Sequence, residues 1–286
     1  MPFNVAEIVS AYDSGQFTYK TWRKVPTQTT ANGIWFDLSM SPGNPVPNYY
    51  AATPGVAIAL ARSTDGGIDH GPNVTPSKKY LHKLSACNVT STAVPCEMIL
   101  CDYLMYYPFV DMSVVGDQTV TTIISLPRYP TGAGVQIMAV EVASQVGGSQ
   151  FYVTYTNSSG VSGRVSGTVT CNSQTVNGTL VTSNTATSGS AGAFIPLAYG
   201  DTGVRYIESV TFLTGDVGLL SLVLVKPLAT FTLYETTAPV EVDYLIDKSQ
   251  LPQIVDDAYL NFICHPPGTL ASAAFHGDIQ TFWSAN

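Results

Sequence analysis

Charge is what this sequence has least of. Asp, Glu, Lys and Arg make up 11% of its 286 residues, where ordinary soluble domains carry about 25%. Ser, Thr, Gly, Asn and Tyr take their place. A neutral, hydrogen-bonding surface suits a protein that keeps much of its area against neighbours, because a free monomer draws solubility from charge. Basic residues are the scarcer sign: 12 Lys and Arg face 20 Asp and Glu, for a net charge of −8. Nucleic-acid affinity comes from cations on phosphates, so neither DNA nor RNA is expected as the main ligand.

Long apolar runs are missing as well. No stretch reaches the ~18 residues that a membrane span needs; the run Leu219–Val225 is strand-sized. The start, Met1-Pro-Phe-Asn-Val-Ala-Glu7, has no basic segment followed by an apolar one, so the expectation is cytoplasmic synthesis without a secretory signal. Cysteines are few, odd in number and irregularly spaced: Cys87, Cys96, Cys101, Cys171 and Cys264. Buried free thiols in a reducing compartment are the simplest account. The sequons at Asn73, Asn88, Asn157 and Asn177 then follow from a Ser/Thr/Asn-rich composition rather than from glycosylation.

Catalytic signatures are absent too. Gly160-Val-Ser-Gly-Arg164 lacks the last glycine of a nucleophile elbow and looks like a hairpin turn. No glycine-rich phosphate loop occurs. Cys87, Cys96 and Cys101 with His82 have no Cys-x2-4-Cys hook, so no zinc site is expected. Asp65-Gly-Gly-Ile-Asp69 before His70 reads as a polar turn, since it lacks the full calcium-loop pattern. Asp256 and Asp257 are neighbours on a predicted helix and would point about 100° apart, which makes a solvated face and not an acid/base pair. No enzyme activity, cofactor or metal is therefore expected.

What is present is β pattern. Strands are predicted at Val120–Leu126, Val135–Ala143, Gln150–Thr156, Val161–Cys171, Val204–Thr214, Leu219–Val225 and Ala229–Tyr234. Turn sequences such as Asn157-Ser-Ser-Gly160 and Thr214-Gly-Asp-Val-Gly218 separate them. Phe151, Val153 and Tyr155 alternate with Tyr152, Thr154 and Thr156, as a strand with one buried face requires. The fold class predicted is mainly β: an antiparallel β-sandwich or jelly-roll-like domain, with a loop-rich N-terminal region and a short C-terminal helix.

Three segments follow. Residues 1–110 form an N-terminal arm and loop-rich region. Within it, Val5, Ile8, Val9 and Tyr12 share a face of a short helix over residues 4–14, with Asn4 as its cap and Glu7 three residues on. Lys20, Arg23 and Lys24 around Trp22 form the strongest basic cluster, read as an exposed arm that docks an acidic neighbour. Prolines 42, 45, 47, 54, 72 and 76 exclude a long helix over residues 40–76. Residues 98–110 are a core segment, strand or short helix, ended by Pro108. Residues 111–235 are the β-sandwich, in which the polar stretch 172–192 is either a hairpin or a mobile loop. Residues 236–286 form the C-terminal helix and extension. There Leu251, Ile254, Val255, Ala258, Tyr259, Phe262 and Ile263 keep a helical spacing, with Ser249 as cap and Pro266 beyond the end. Phe275, Phe282 and Trp283 follow, and such aromatics need a cover. Residues 235–286 alone carry a net charge of −6, while residues 1–110 balance at seven of each sign.

Leu100-Cys-Asp-Tyr-Leu-Met-Tyr-Tyr-Pro-Phe109, Ser125-Leu-Pro-Arg-Tyr129, Gly132-Ala-Gly-Val-Gln136, Tyr155-Thr-Asn-Ser-Ser-Gly-Val-Ser-Gly163 and the stretch Gly215–Leu228 resemble uncharacterised virion proteins of tailed bacteriophages. The resemblance spans about residues 98–235 and implies a head- or virion-associated structural role. It transfers no catalytic residue. On this basis the chain is expected to be a capsid decoration (cement) subunit. Its partners would be the major capsid protein and copies of itself, as a trimer, with no nucleic acid and no membrane. Lys20, Trp22, Arg23, Lys24, Phe275, Phe282 and Trp283 would make the contacts. The alternative is a tail or head-fibre module that binds host-surface glycans.

Overall fold

The computed structural model describes residues 5–30, 32–173, 176–248 and 251–284. The chain is mainly β, built as three antiparallel sheets. The first contains β1 (Phe17–Lys24), β3 (Gly43–Asn44), β5 (Lys78–Asn88), β14 (Val240–Asp243), β15 (Gln253–Ile254) and β17 (Phe275–Ser284), in the order β14-β5-β17-β1-β3 with β15 also on β5. The middle sheet contains β2 (Phe36–Asp37), β4 (Ile58–Ala59), β6 (Cys96–Asp111), β8 (Gln136–Ala143), β13 (Leu219–Leu233) and β16 (Leu260–His265), ordered β2-β16-β6-β13-β8 with β4 on β6. The third contains β7 (Gly116–Thr119), β9 (Gln150–Asn157), β10 (Arg164–Val165), β11 (Val169–Thr170) and β12 (Val204–Phe212).

The long pair β6 and β13 belongs to two cores at once. Met98 and Leu100 of β6, with Phe231 and Leu233 of β13, pack against Trp22, Leu81, Leu84, Phe275 and Ile279 of the first sheet. Farther along, Leu104 and Tyr107, with Leu220, Leu222 and Leu224, pack against Phe151, Val153, Ile207 and Phe212 of the third. The alternate residues Ile99, Cys101, Tyr103, Val223 and Val225 are covered by Trp35 and by Met40, Tyr50 and Leu60 from the proline-rich region. Burial on both faces is what lets β6 read as a continuous apolar run.

Several expectations are corrected. The C-terminal helix does not form. Pro252 interrupts its start, Asp257 takes a positive φ of 61°, and Leu260–His265 is extended between β6 and β2. Its apolar residues satisfied a helical spacing because a strand buried on both faces needs apolar groups at every position. Lys20, Trp22, Arg23 and Lys24 are not on a free arm: β1 is paired along its length with β17 and at its end with β3. Pro108 does not end β6. The strand bulges there, with Leu222 opposite Tyr107 and Leu220 opposite Val110, and runs on to Asp111. Leu219–Val225 and most of Ala229–Tyr234 are one strand, Leu219–Leu233, carried past Pro227 by a further register shift. Val120–Leu126 makes only isolated contacts, such as the bridge between Thr122 and Val56. Val161–Cys171 supplies two short strands instead of one.

The N-terminal helix forms as α1 (Val5–Asp13). Its buried residues Ile8 and Ala11 cover Phe282. The caps predicted at Asn4 and Ser249 lie outside the described residues. The segments 1–110, 111–235 and 236–286 share sheets. β1 and β5 pair with β17, and β6 pairs with both β13 and β16.

Candidate functional site: the outer face of the first sheet

Strand β1 alternates. Trp22 and Lys24 point inward and are buried, while Phe17, Tyr19, Thr21 and Arg23 are exposed on the outer face. The register places Thr21 beside Asp278 and Ser85, and Arg23 beside His276 and Cys87. Helix α1 closes one end of this outer face over Phe282, with Tyr12 stacked on Phe17 at 4.7 Å between ring centroids. The rest stays open as a cleft of about 510 Å³, whose lining includes Tyr19, Arg23, Asn44, Ser85, His276 and Asp278. Gly277 lies in its floor, so close to β5 that a Cβ would fall 1.9 Å from the Ser85 carbonyl oxygen.

The polar groups of the cleft are held rather than free-floating. The Ser85 hydroxyl donates to the Asp278 carboxylate and accepts the Asp278 N–H at 3.1 Å. The Asp278 charge raises the pKa of the Tyr19 phenol beside it. Cys87 and His276 face each other across the strands, but the Cys87 thiol approaches the Asn88 carbonyl oxygen, at 3.9 Å. The cleft thus offers the Tyr19 and His276 rings, a guanidinium, an amide, a carboxylate and hydroxyls to a hydrogen-bonding partner. Among the described residues no three His, Cys, Asp or Glu side chains converge as a metal site, and no helix is long and apolar enough to cross a membrane.

The basic cluster of β1 is split three ways. Lys20 pairs with Asp69 at 2.8 Å, both partly exposed. Burial works to raise the Asp69 pKa, but Lys20, the Gly71 N–H and Arg62 outweigh it and hold the carboxyl at about 2. Arg23 is exposed in the cleft. Lys24 is wholly buried and donates to the carbonyl oxygens of Ser41 and Pro45 at 3.1 and 2.9 Å. Burial pushes its pKa down to about 8, against the pull of Asp37. Asp37 itself is buried, with Ser39, Tyr50 and Tyr103 all donating hydroxyl hydrogens to it.

Phe275 and Phe282 are fully buried in this chain's own cores. Trp283 is half-buried, with the Lys79 ammonium 5.9 Å from its ring centroid. Trp22, Lys24, Phe275 and Phe282 are therefore covered without a neighbour, and only Lys20, Arg23 and Trp283 of the expected contact set keep accessible surface. Sequence reasoning missed Tyr19, Ser85, His276 and Asp278. The period-two pattern of β1 was the available signal for Tyr19; the other three reach the cleft only through long-range strand pairing.

Asp256 and Asp257 are structural pins. Asp256 accepts from the Val74 and Thr75 N–H groups at 2.8 and 2.9 Å, and Asp257 from the Ser63 N–H at 2.8 Å. They tie the proline-rich region to the turn before β16.

No family model matches the chain, and no curated protein sequence is similar to it. A structure of the infectious bursal disease virus Gx strain aligns over 94% of this chain and 78% of its own, at 10% identity and a TM-score of 0.19. The VP2 subviral particle of infectious bursal disease virus aligns over 94% and 80%, at 8% identity and a TM-score of 0.17. Likenesses at this level fix neither the fold nor the role of this chain.

Proposed function

We propose that this chain is a structural component of a virus particle: a capsid decoration subunit of a tailed bacteriophage, binding the major capsid protein and copies of itself as a trimer. It contributes contact area and not chemistry. The observation that carries the reading is its surface. Tyr199 is fully exposed, and Tyr234 and Ile246 are 70% and 74% exposed, on a chain with only 11% charged residues. Exposed aromatics on a weakly charged surface are what protein interfaces are enriched in. The sequence resemblance over residues 98–235 supports the same reading, and Lys20, Arg23 and Trp283 are the contact residues retained.

Quantitative mass spectrometry of purified particles tests it. Hundreds of copies per particle, and loss of heat resistance when the protein is stripped, are expected. A handful of copies overturns the shell assignment and moves the protein to the tail. The cleft beside Tyr19 favours a second reading, a fibre module that binds host glycans. Binding on a glycan array that Tyr19→Ala abolishes would support it.

A further inference from the structure

The edge of a sheet carries unpaired backbone groups that invite another strand, and this chain protects two of its edges. The free side of β8 is taken by the segment after β11: the Glu141 N–H donates to the Thr179 carbonyl and the Val181 N–H to that of Ala139, at 2.8 and 2.9 Å. The β14 edge is blunted, with Pro239 just before it and the Asp243 N–H taken by the Asp247 carboxylate at 2.9 Å.

Strand β1 differs. The Trp283 N–H donates to the Gln16 carbonyl at 3.0 Å, and the register between β1 and β17 runs on from there without a shift. Antiparallel ladder bonds alternate, so Thr18, Lys20, Trp22 and Lys24 face β17, while Phe17, Tyr19, Thr21 and Arg23 turn their N–H and C=O groups away from it. Arg23 is paired with Asn44 of β3. Among the described residues, no hydrogen bond reaches the backbone of Phe17, Tyr19 or Thr21. Their side chains lie on the outer face, with Phe17 41% and Tyr19 55% exposed. The open stretch is bounded by β3 at one end and at the other by the turn at Gly15, whose φ is 71°.

Two identical edges can meet antiparallel about a two-fold axis, the commonest symmetry of soluble oligomers. With the axis at Tyr19, Phe17 lies opposite Thr21 of the second copy and Tyr19 opposite Tyr19. All of the open backbone groups are then paired, and the aromatics line one face. Lys20 falls opposite Thr18. An axis at Lys20 would instead set two ammonium groups against each other and push Phe17 toward β3. Charge completes the match. Arg23 and Asp13 are exposed, and among the described residues neither has an ion pair in its own chain. They stand at opposite ends of β1. Antiparallel pairing brings the Arg23 end of one copy to the Gly15 turn of the other, where α1 ends at Asp13.

We propose that two copies of this chain pair antiparallel through the open edges of β1, about a two-fold axis at Tyr19, with Arg23 of each copy meeting Asp13 of the other. This contact is distinct from the three-fold association proposed above and would join one trimer to the next. It is tested on the isolated protein, so either reading can fail alone.

Cysteine cross-linking tests the register. Opposed Cα atoms of a hydrogen-bonded pair are about 5.5 Å apart, within disulfide reach. Oxidised with copper–phenanthroline, Tyr19→Cys should run as a linked dimer on a non-reducing gel. Wild type and Thr21→Cys should run as single chains, because the two Thr21 positions lie more than about 13 Å apart. No dimer from Tyr19→Cys, or as much from Thr21→Cys, overturns the proposal. Sedimentation velocity is the second measurement. Thr21→Pro removes an N–H that the fold leaves unbonded, so the chain should stay folded and the mass of the wild-type species should halve. Arg23→Asp should weaken the pairing, and adding Asp13→Arg should restore it. A mass that Thr21→Pro leaves unchanged overturns the proposal as well.

Discussion

Arg128 grips the carboxylate of Asp102 through two parallel hydrogen bonds, Nε to Oδ2 at 2.9 Å and a terminal nitrogen to Oδ1 at 2.7 Å, with both residues buried. The same guanidinium donates to the carbonyls of Leu60 and Tyr103, each at 2.9 Å, and Asp102 also accepts the Tyr259 N–H at 3.0 Å. One side chain therefore fastens the segment after β7 and the proline-rich region to β6.

Breaking that pair leaves an uncompensated charge in the core. Arg128→Met should cost about 3–5 kcal/mol, measured by urea unfolding. A double-mutant cycle with Asp102→Leu should give a coupling of roughly 1–3 kcal/mol. A coupling near zero would mean that the contact is incidental.

His70 sets an acid limit. Lys79 donates to its Nδ1 at 3.1 Å, so the ring proton sits on Nε2 and donates to the Ala258 carbonyl at 3.1 Å. Burial, then the Lys79 charge, push the pKa from 6.5 down to about 3. The folded state prefers the neutral ring, and the unfolded state takes up the proton first. Stability from this group is complete above pH 6.5 and falls toward pH 3, by about 1.4 kcal/mol per pH unit. Lys79, lowered only to about 8, stays charged throughout that window. His70→Gln should flatten the loss between pH 6.5 and 4 in chemical denaturation; identical slopes in the two proteins would refute this.

Trp22 and Arg23 are neighbours with opposite expectations. Trp22 is 2% exposed and packs on Phe262 at 4.5 Å between centroids, so Trp22→Ala should cost about 3–5 kcal/mol. Arg23 faces the cleft, so Arg23→Ala should change stability by less than about 0.5 kcal/mol. It should instead reduce incorporation into particles, scored by adding variant protein back to stripped virions. Wild-type incorporation would remove Arg23 from the contact surface.

The fold was legible where one strand face meets a core and the other meets water. Phe151, Val153 and Tyr155 announced β9 through alternation, and β8 and β12 were placed within a residue or two of their ends. Legibility failed where burial is two-sided. In β16, Leu260, Phe262 and Ile263 are all covered, so alternation vanishes and a helical spacing fits by coincidence. It failed again at Pro227, because a bulge that tolerates proline depends on the partner strand. In the cleft, Arg23 was visible as part of a charge cluster. Its separation from Lys24 follows only once the segment is a strand, in which neighbours turn to opposite faces.

The β6–β13 ribbon has a mechanical consequence. Its rungs are common to both of the cores on either side of it, so strain applied at either end of the molecule is borne by the same ladder. Heated or pulled, such a chain should yield all at once, in one steep transition and not in stages.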